Sequence, residues 1–240
     1  MADIGEMQRA IKRKQRYQLF LFSVGVFLFW LAQFLFQRLW ASVGDAASAS
    51  IRSFAFAGTT LISAALFSSA LFRWVPRWAQ YWRYRRYLGV SGFILIFFHV
   101  WGALALYFNY DFSVVYFSLN PLENPLVFGS IAFFILFLMA ITSTDWAMQK
   151  LTPKVWKTLH RFVYIAYISA IFHFLRSAPE GMLNNAAGYL LLTLTAAALF
   201  GQVYWFFKTV SKKKFRSLGT FVGFGIIIST LVLVYMIWGR

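Results

Sequence analysis

The chain has three histidines, His99, His160 and His173, and their placement carries most of the chemistry legible in its 240 residues. A neutral imidazole is a metal ligand and a proton carrier near neutral pH. There is no cysteine, so disulfides, thiolate metal sites and cysteine nucleophiles are excluded. All three histidines fall in strongly apolar stretches, where an ionisable side chain is costly and marks a functional site by default. No carboxylate is expected at comparable depth, which argues against a carboxylate proton relay or cation site.

The elements that must position these imidazoles follow from composition. Hydrophobic residues make up 60% of the chain and charged residues 12%; a soluble domain carries about 25% charged residues. The polar supply cannot cover a soluble surface, so the outside must face lipid. Seven apolar runs, each near the roughly 20 residues that cross a bilayer, are predicted as helices at about 17–37, 52–74, 86–108, 125–147, 155–176, 186–208 and 217–238. The polar, basic residues 1–16 precede a run long enough to span, so the first helix reads as retained rather than as a cleaved signal. The expected fold is an all-α polytopic transmembrane bundle. It forms one membrane domain over 1–240: a basic N-terminus (1–16), a six-helix core (17–210) and an additional C-terminal helix (215–240).

Charge gives the orientation. With the N-terminus inside, 19 Lys and Arg fall on the inner side, and only Arg38, Arg52, Arg176 and Arg240 fall outside. This is a strong positive-inside bias and predicts N-in, C-out. It also accounts for the net charge of +16 without nucleic-acid binding, which we exclude. The longest connection is about 17 residues, too short for a nucleotide-binding domain. The 29 Phe, 10 Trp and 12 Tyr read as lipid-facing bulk and interfacial belts; packing around a porphyrin is the sharper alternative.

The third and fifth runs are parallel. His99 lies 13 residues after Arg86 and His173 lies 19 after Lys154, rises of about 20 Å and 28 Å. His160 rises only about 9 Å. His99 therefore matches His173 in depth. Two neutral imidazoles at one depth on different helices can ligate one haem iron from opposite sides. The simpler reading of any one membrane histidine is a hydrogen bond to a neighbouring helix. Copper or zinc would need a third ligand at that depth, and none is evident. His160 and His173 point about 140° apart on an ideal helix, so both face the interior only if the helix bends or the side chains lean. A second haem at His160 would need a partner near Arg85.

The segments RRYLGVSGFILIFFH (85–99) and TSTDWAMQKLTPKVWKTLHRFVYIAYISAIFHF (142–174) resemble the ferric-reductase-like transmembrane family, and within it the MsrQ-like haem-binding subunits. The resemblance implies a b-type cytochrome with His99 and His173 as axial ligands of an outer haem and His160 at an inner site. Where larger relatives carry the inner partner histidine, this chain has Arg85. The resemblance further implies one haem b, or two if the inner site is filled, and allows FMN. It implies a bacterial inner-membrane location, electrons arriving from quinol or a cytoplasmic flavin reductase, and a periplasmic molybdenum enzyme that repairs methionine sulfoxide as acceptor. The seventh run departs from the six-helix plan. Two other functions compete: a core that reduces ferric chelate or O₂ with a separate NAD(P)H–flavin protein, and a haem-free transporter or membrane scaffold.

Overall fold

The computed structural model describes residues 4–41, 44–177 and 185–210. Among them the chain is helical throughout: α1 (Ile4–Leu39), α2 (Ala46–Trp74), a 3₁₀ turn (Pro76–Tyr81), α3 (Trp82–Tyr107), α4 (Phe112–Val115), α5 (Leu126–Ile141), α6 (Asp145–Lys150), α7 (Pro153–Arg161), α8 (Val163–Ser177) and α9 (Ala186–Val210). Five helical stretches are long and apolar enough to cross a membrane: Gly5–Leu39, Ala46–Trp74, Pro76–Tyr107, Pro153–Ser177 and Ala186–Lys208; α5 is a shorter apolar helix. The run at 217–238 lies outside the described residues. Large side chains such as Phe20, Phe27, Phe134 and Phe200 stand more than half exposed on the outer surface. A continuous apolar exterior of this kind belongs in lipid, and the protein is an all-α multi-pass membrane bundle.

Element ends follow local chemistry. Asp45 caps α2 by accepting from the Ser48 N–H at 2.7 Å. Asp111 caps α4, after Asn109 and Tyr110 turn the chain through left-handed conformations (φ 46° and 58°). In the loop before α5, hydrogen bonds from Ser118 and Asn120 hold the Glu123 carboxyl below its ordinary range, and the fully buried Asn124 donates to the carbonyls of Val115 and Ser118.

Several boundaries differ from the sequence expectation. The fourth helix ends at Ile141 rather than near 147. Thr142 and Ser143 turn their hydroxyls back onto the carbonyls of Leu138 and Met139, and Thr144 caps the separate α6. Side chains that bond back to the main chain favour such breaks. The fifth span is split at Phe162, whose N–H bonds three residues back to Leu159. The tightened turn separates His160 on α7 from His173 on α8. At the other end, α1 starts at Ile4, so the basic residues up to Arg16 continue the first helix instead of forming an irregular leader.

α2 is the central helix, packed by α1, α3 and α9. Its sequence is rich in Ala, Ser and Gly, the small residues through which membrane helices approach closely. A core of Ile62, Leu66, Leu136, Val163, Ala166, Tyr167, Ala198 and Leu199 joins α2, α5, α8 and α9. The Tyr167 hydroxyl sits 2.5 Å from Ser63 Oγ and donates to Thr195 Oγ1 at 2.8 Å, while Gln202 Nε2 donates to the Leu66 carbonyl at 3.0 Å. Tyr167→Phe keeps the packing and removes the hydroxyl. It is expected to destabilise the bundle by about 0.6–2 kcal/mol, read as a lower midpoint of unfolding in SDS.

Candidate functional site

His99 is on α3, and its Nδ1 lies 3.1 Å from the carbonyl of Ile51 on α2. His173 is on α8, and its Nδ1 lies 3.1 Å from the carbonyl of Pro125, the N-cap of α5. His160 is on α7, with Nδ1 3.1 Å from the carbonyl of Trp156 one turn earlier. A carbonyl only accepts, so Nδ1 of His99 and of His173 carries the ring proton, the tautomer that leaves Nε2 with a free lone pair, the ligating form. Among the described residues, Nε2 of His99 and of His173 has no hydrogen-bond partner. Nε2 of His160 is 3.2 Å from Ser143 Oγ.

The helices sort these groups by depth. α5 meets the His173 ring at Gly129, near its start. Ser143, just past its end, meets His160. The twelve-residue step from Gly129 to the end of α5 at Ile141 rises about 18 Å, so the two histidines occupy different ends of the bundle. α3 rises about 21 Å from Arg85 to His99. The structure places Arg85 and His160 on the lining of one cavity and puts His99 and His173 toward the other end of the bundle, on α3 and α8. It does not bring His160 to either of the other histidines through any hydrogen bond among the described residues.

The end of the bundle that carries His160 holds a cavity of about 500 Å³ lined by Arg83, Arg85, Arg86, His160, Trp156 and Phe93, among others. This is within the size range of ligand pockets. Arg86 pairs with Asp145 at 2.6 Å, and the Arg85 guanidinium lies over the Trp82 ring. The motif around His160 acquires a structural meaning here. Thr152 caps α7, Trp156 donates its indole N–H to the Thr142 carbonyl, and His160 stacks on Trp156 with centroids 3.9 Å apart. Among the described residues, no three His or carboxylate side chains gather as a metal-ion site.

Sequence reasoning missed Ile51 and Pro125, because a backbone carbonyl leaves no signature in residue type. It also missed Ser143, Asp145 and Gly129. For Gly129 a signal existed: a glycine inside an apolar helical run marks a close approach.

Comparison with known proteins gives the class. Residues 54–171 match the family described as "Ferric reductase like transmembrane component", a segment that takes in most of α2, all of α3 and α5, His99 and His160, and stops two residues before His173. The class defined by fold and match is a multi-pass helical membrane protein with a ferric-reductase-like transmembrane segment. Within that class the chain is similar to proteins named protein-methionine-sulfoxide reductase heme-binding subunit MsrQ. The protein of that name from Pasteurella multocida (strain Pm70) is 35% identical over 122 residues, 49% of this chain and 56% of that protein. The one from Herminiimonas arsenicoxydans is 29% identical over 141 residues, 58% and 63%. The one from Brucella ovis is 32% identical over 99 residues, 41% and 44%. The chain therefore spans roughly half the length of these relatives. No solved structure matches it.

Proposed function

We propose that the chain is a b-type cytochrome membrane subunit that carries electrons from a donor on its basic, inner side to an acceptor on the outer side. The observation that carries this reading is the shared state of the imidazoles. His99 and His173 come from different helices at one end of the bundle, each with Nδ1–H held by a carbonyl and Nε2 unpartnered among the described residues. Two neutral nitrogen donors are the ligand set that a low-spin haem b accepts. A haem held there supplies reversible one-electron exchange. The chain's own part is to fix the two rings in the ligating tautomer and surround them with apolar side chains that exclude water.

His160, Arg85 and the cavity beside them form the inner site. Their chemistry suits an anionic redox group, either a second haem or a flavin such as FMN, with the guanidinium groups of Arg83, Arg85 and Arg86 toward its charge. His160→Ala is expected to leave the low-spin signal of the outer pair intact. It should slow reduction from the inner side about tenfold, measured by stopped-flow absorbance with a reduced donor. Loss of the whole low-spin signal would make His160 an axial ligand instead.

The 19-to-4 distribution of basic residues supports N-in topology in a bacterial inner membrane, with 1–240 as one membrane domain and 215–240 as a further span. The names of the similar proteins favour a methionine-sulfoxide-reducing oxidoreductase as the outer acceptor; the donor in this reading is quinol or a flavin reductase. The test of the whole reading is the reduced-minus-oxidised visible spectrum of the purified chain. A sharp b-type α-band is expected; a colourless protein from haem-replete cells refutes it.

A further inference from the structure

We infer that Gly129 is a positioning residue for His173: its missing side chain lets the imidazole lie on the backbone of α5 and donate from Nδ1 to the Pro125 carbonyl. This rests on the proposed role of His173 as an axial ligand, and adds what sets the ring's orientation and basicity.

The geometry is specific. A Cβ built on Gly129 would stand 3.0 Å from His173 Nδ1, 3.1 Å from Cγ and 3.2 Å from Cε1. Three ring atoms at nearly equal distance mean that the imidazole lies against the helix at that point. Pro125 is four residues earlier, so its carbonyl emerges on the same face one turn away. The helical bond from Gly129 N to that carbonyl is long, 3.4 Å, whereas the bond from His173 Nδ1 is 3.1 Å. The carbonyl serves the histidine better than it serves its own helix. Ser177 Oγ also approaches Nδ1, at 3.4 Å. Gly25 and Gly89, also helical, would meet nothing within 4 Å, so close contact with the ring is a property of this position and not of glycine in the bundle.

Parting α5 from α8 to admit an added methyl would disturb a stacked ring pair. Phe128 and Phe172, the residues preceding Gly129 and His173, stack at 5.4 Å between the same two helices. The His173 ring moves instead, and its bond to Pro125 lengthens. A hydrogen bond from Nδ1 raises the basicity of Nε2. Weakening it makes the imidazole a poorer donor to ferric iron, and the reduction potential rises.

The experiment compares Gly129→Ala with Gly25→Ala in the full chain. The first readout needs no haem. With only three histidines, ¹⁵N-histidine spectra resolve each ring, and His173 is assigned by its disappearance in His173→Ala. The His173 Nδ1 resonance is expected to shift in Gly129→Ala and stay fixed in Gly25→Ala, with His99 and His160 unmoved in both. The second readout is the haem midpoint potential, expected to move positive in Gly129→Ala alone, with a displaced largest g-value in the low-spin electron paramagnetic resonance spectrum. Unchanged His173 resonances in Gly129→Ala overturn the inference. A haem-free wild-type chain overturns the cytochrome reading instead, and the nitrogen spectra still judge Gly129. Should Gly129→Ala not accumulate, a wild-type His173 protonated on Nε2 rather than Nδ1 refutes the placement, and Nδ1 protonation supports it.

Discussion

Replacing His99 or His173 with Ala is expected to abolish the low-spin b-type spectrum, each change alone being sufficient. A low-spin iron needs both axial nitrogens; losing one leaves either an open position with a high-spin spectrum or no bound haem. Weakening a group that merely hydrogen-bonds a ligand costs about 10–100-fold in affinity, and removing the ligand itself exceeds that. Neither histidine carries fold stability comparable to the core. Both are partly buried, and each makes one hydrogen bond to a carbonyl through Nδ1. The variants should therefore insert normally, and loss of colour is separable from loss of protein by the yield in the membrane fraction. Free imidazole should restore part of the low-spin signal by entering the space that the lost ring of His99 or His173 leaves behind. A full low-spin signal in either variant removes that histidine from the ligand set.

His99 could be matched to His173 from the sequence because depth along a membrane helix is a one-dimensional quantity. Counting residues from the basic inner edge at about 1.5 Å each separates groups at the two ends of the bundle, whatever the lateral packing. Lateral contacts obey no such count. That His99 bonds to Ile51 depends on how α2 crosses α3, and that His173 rests on Gly129 depends on how α5 meets α8. The split at Phe162 was foreseen only as one of two ways, a bent helix or leaning side chains, for both histidines of that span to face inward. The early end of α5 turned on Thr142 and Ser143 bonding back to their own helix, a choice that hydropathy does not register. Arg85 shows the limit of motif reasoning most clearly. Its position opposite His160 follows from spacing, while the cavity that makes the position useful arises from Phe93, Trp156 and the close of α5.

Gly92→Leu is expected to disrupt the bundle strongly, and the reason also explains how His99 is placed. Gly58 of α2 and Gly92 of α3 face each other. A Cβ on Gly92 would lie 2.9 Å from the Gly58 carbonyl oxygen and 2.7 Å from Ile62 Cγ1, and a Cβ on Gly58 would lie 2.9 Å from the Gly92 carbonyl oxygen. Backbone meets backbone here, so no flexible side-chain end can yield. A leucine must push the helices apart, and the central helix then loses contact along its most extensive interface. Overpacking of this kind costs about 1–3 kcal/mol and occasionally more; a rigid backbone on both sides puts this case at the upper end. The effect should reach the proposed haem site. α2 and α3 are antiparallel, and Ile51 lies seven residues before Gly58 as His99 lies seven after Gly92. Two turns from the crossing, the same register sets the Ile51 carbonyl opposite the His99 ring, with Gly102 making room for the Ile51 side chain. The smaller Gly92→Ala is accordingly expected to insert but to retain less haem than wild type. Gly25→Leu, where a Cβ meets nothing within 4 Å, should change neither the SDS unfolding midpoint nor the spectrum. Equal midpoints for Gly92→Leu and Gly25→Leu would mean that the α2–α3 crossing does not hold the bundle together.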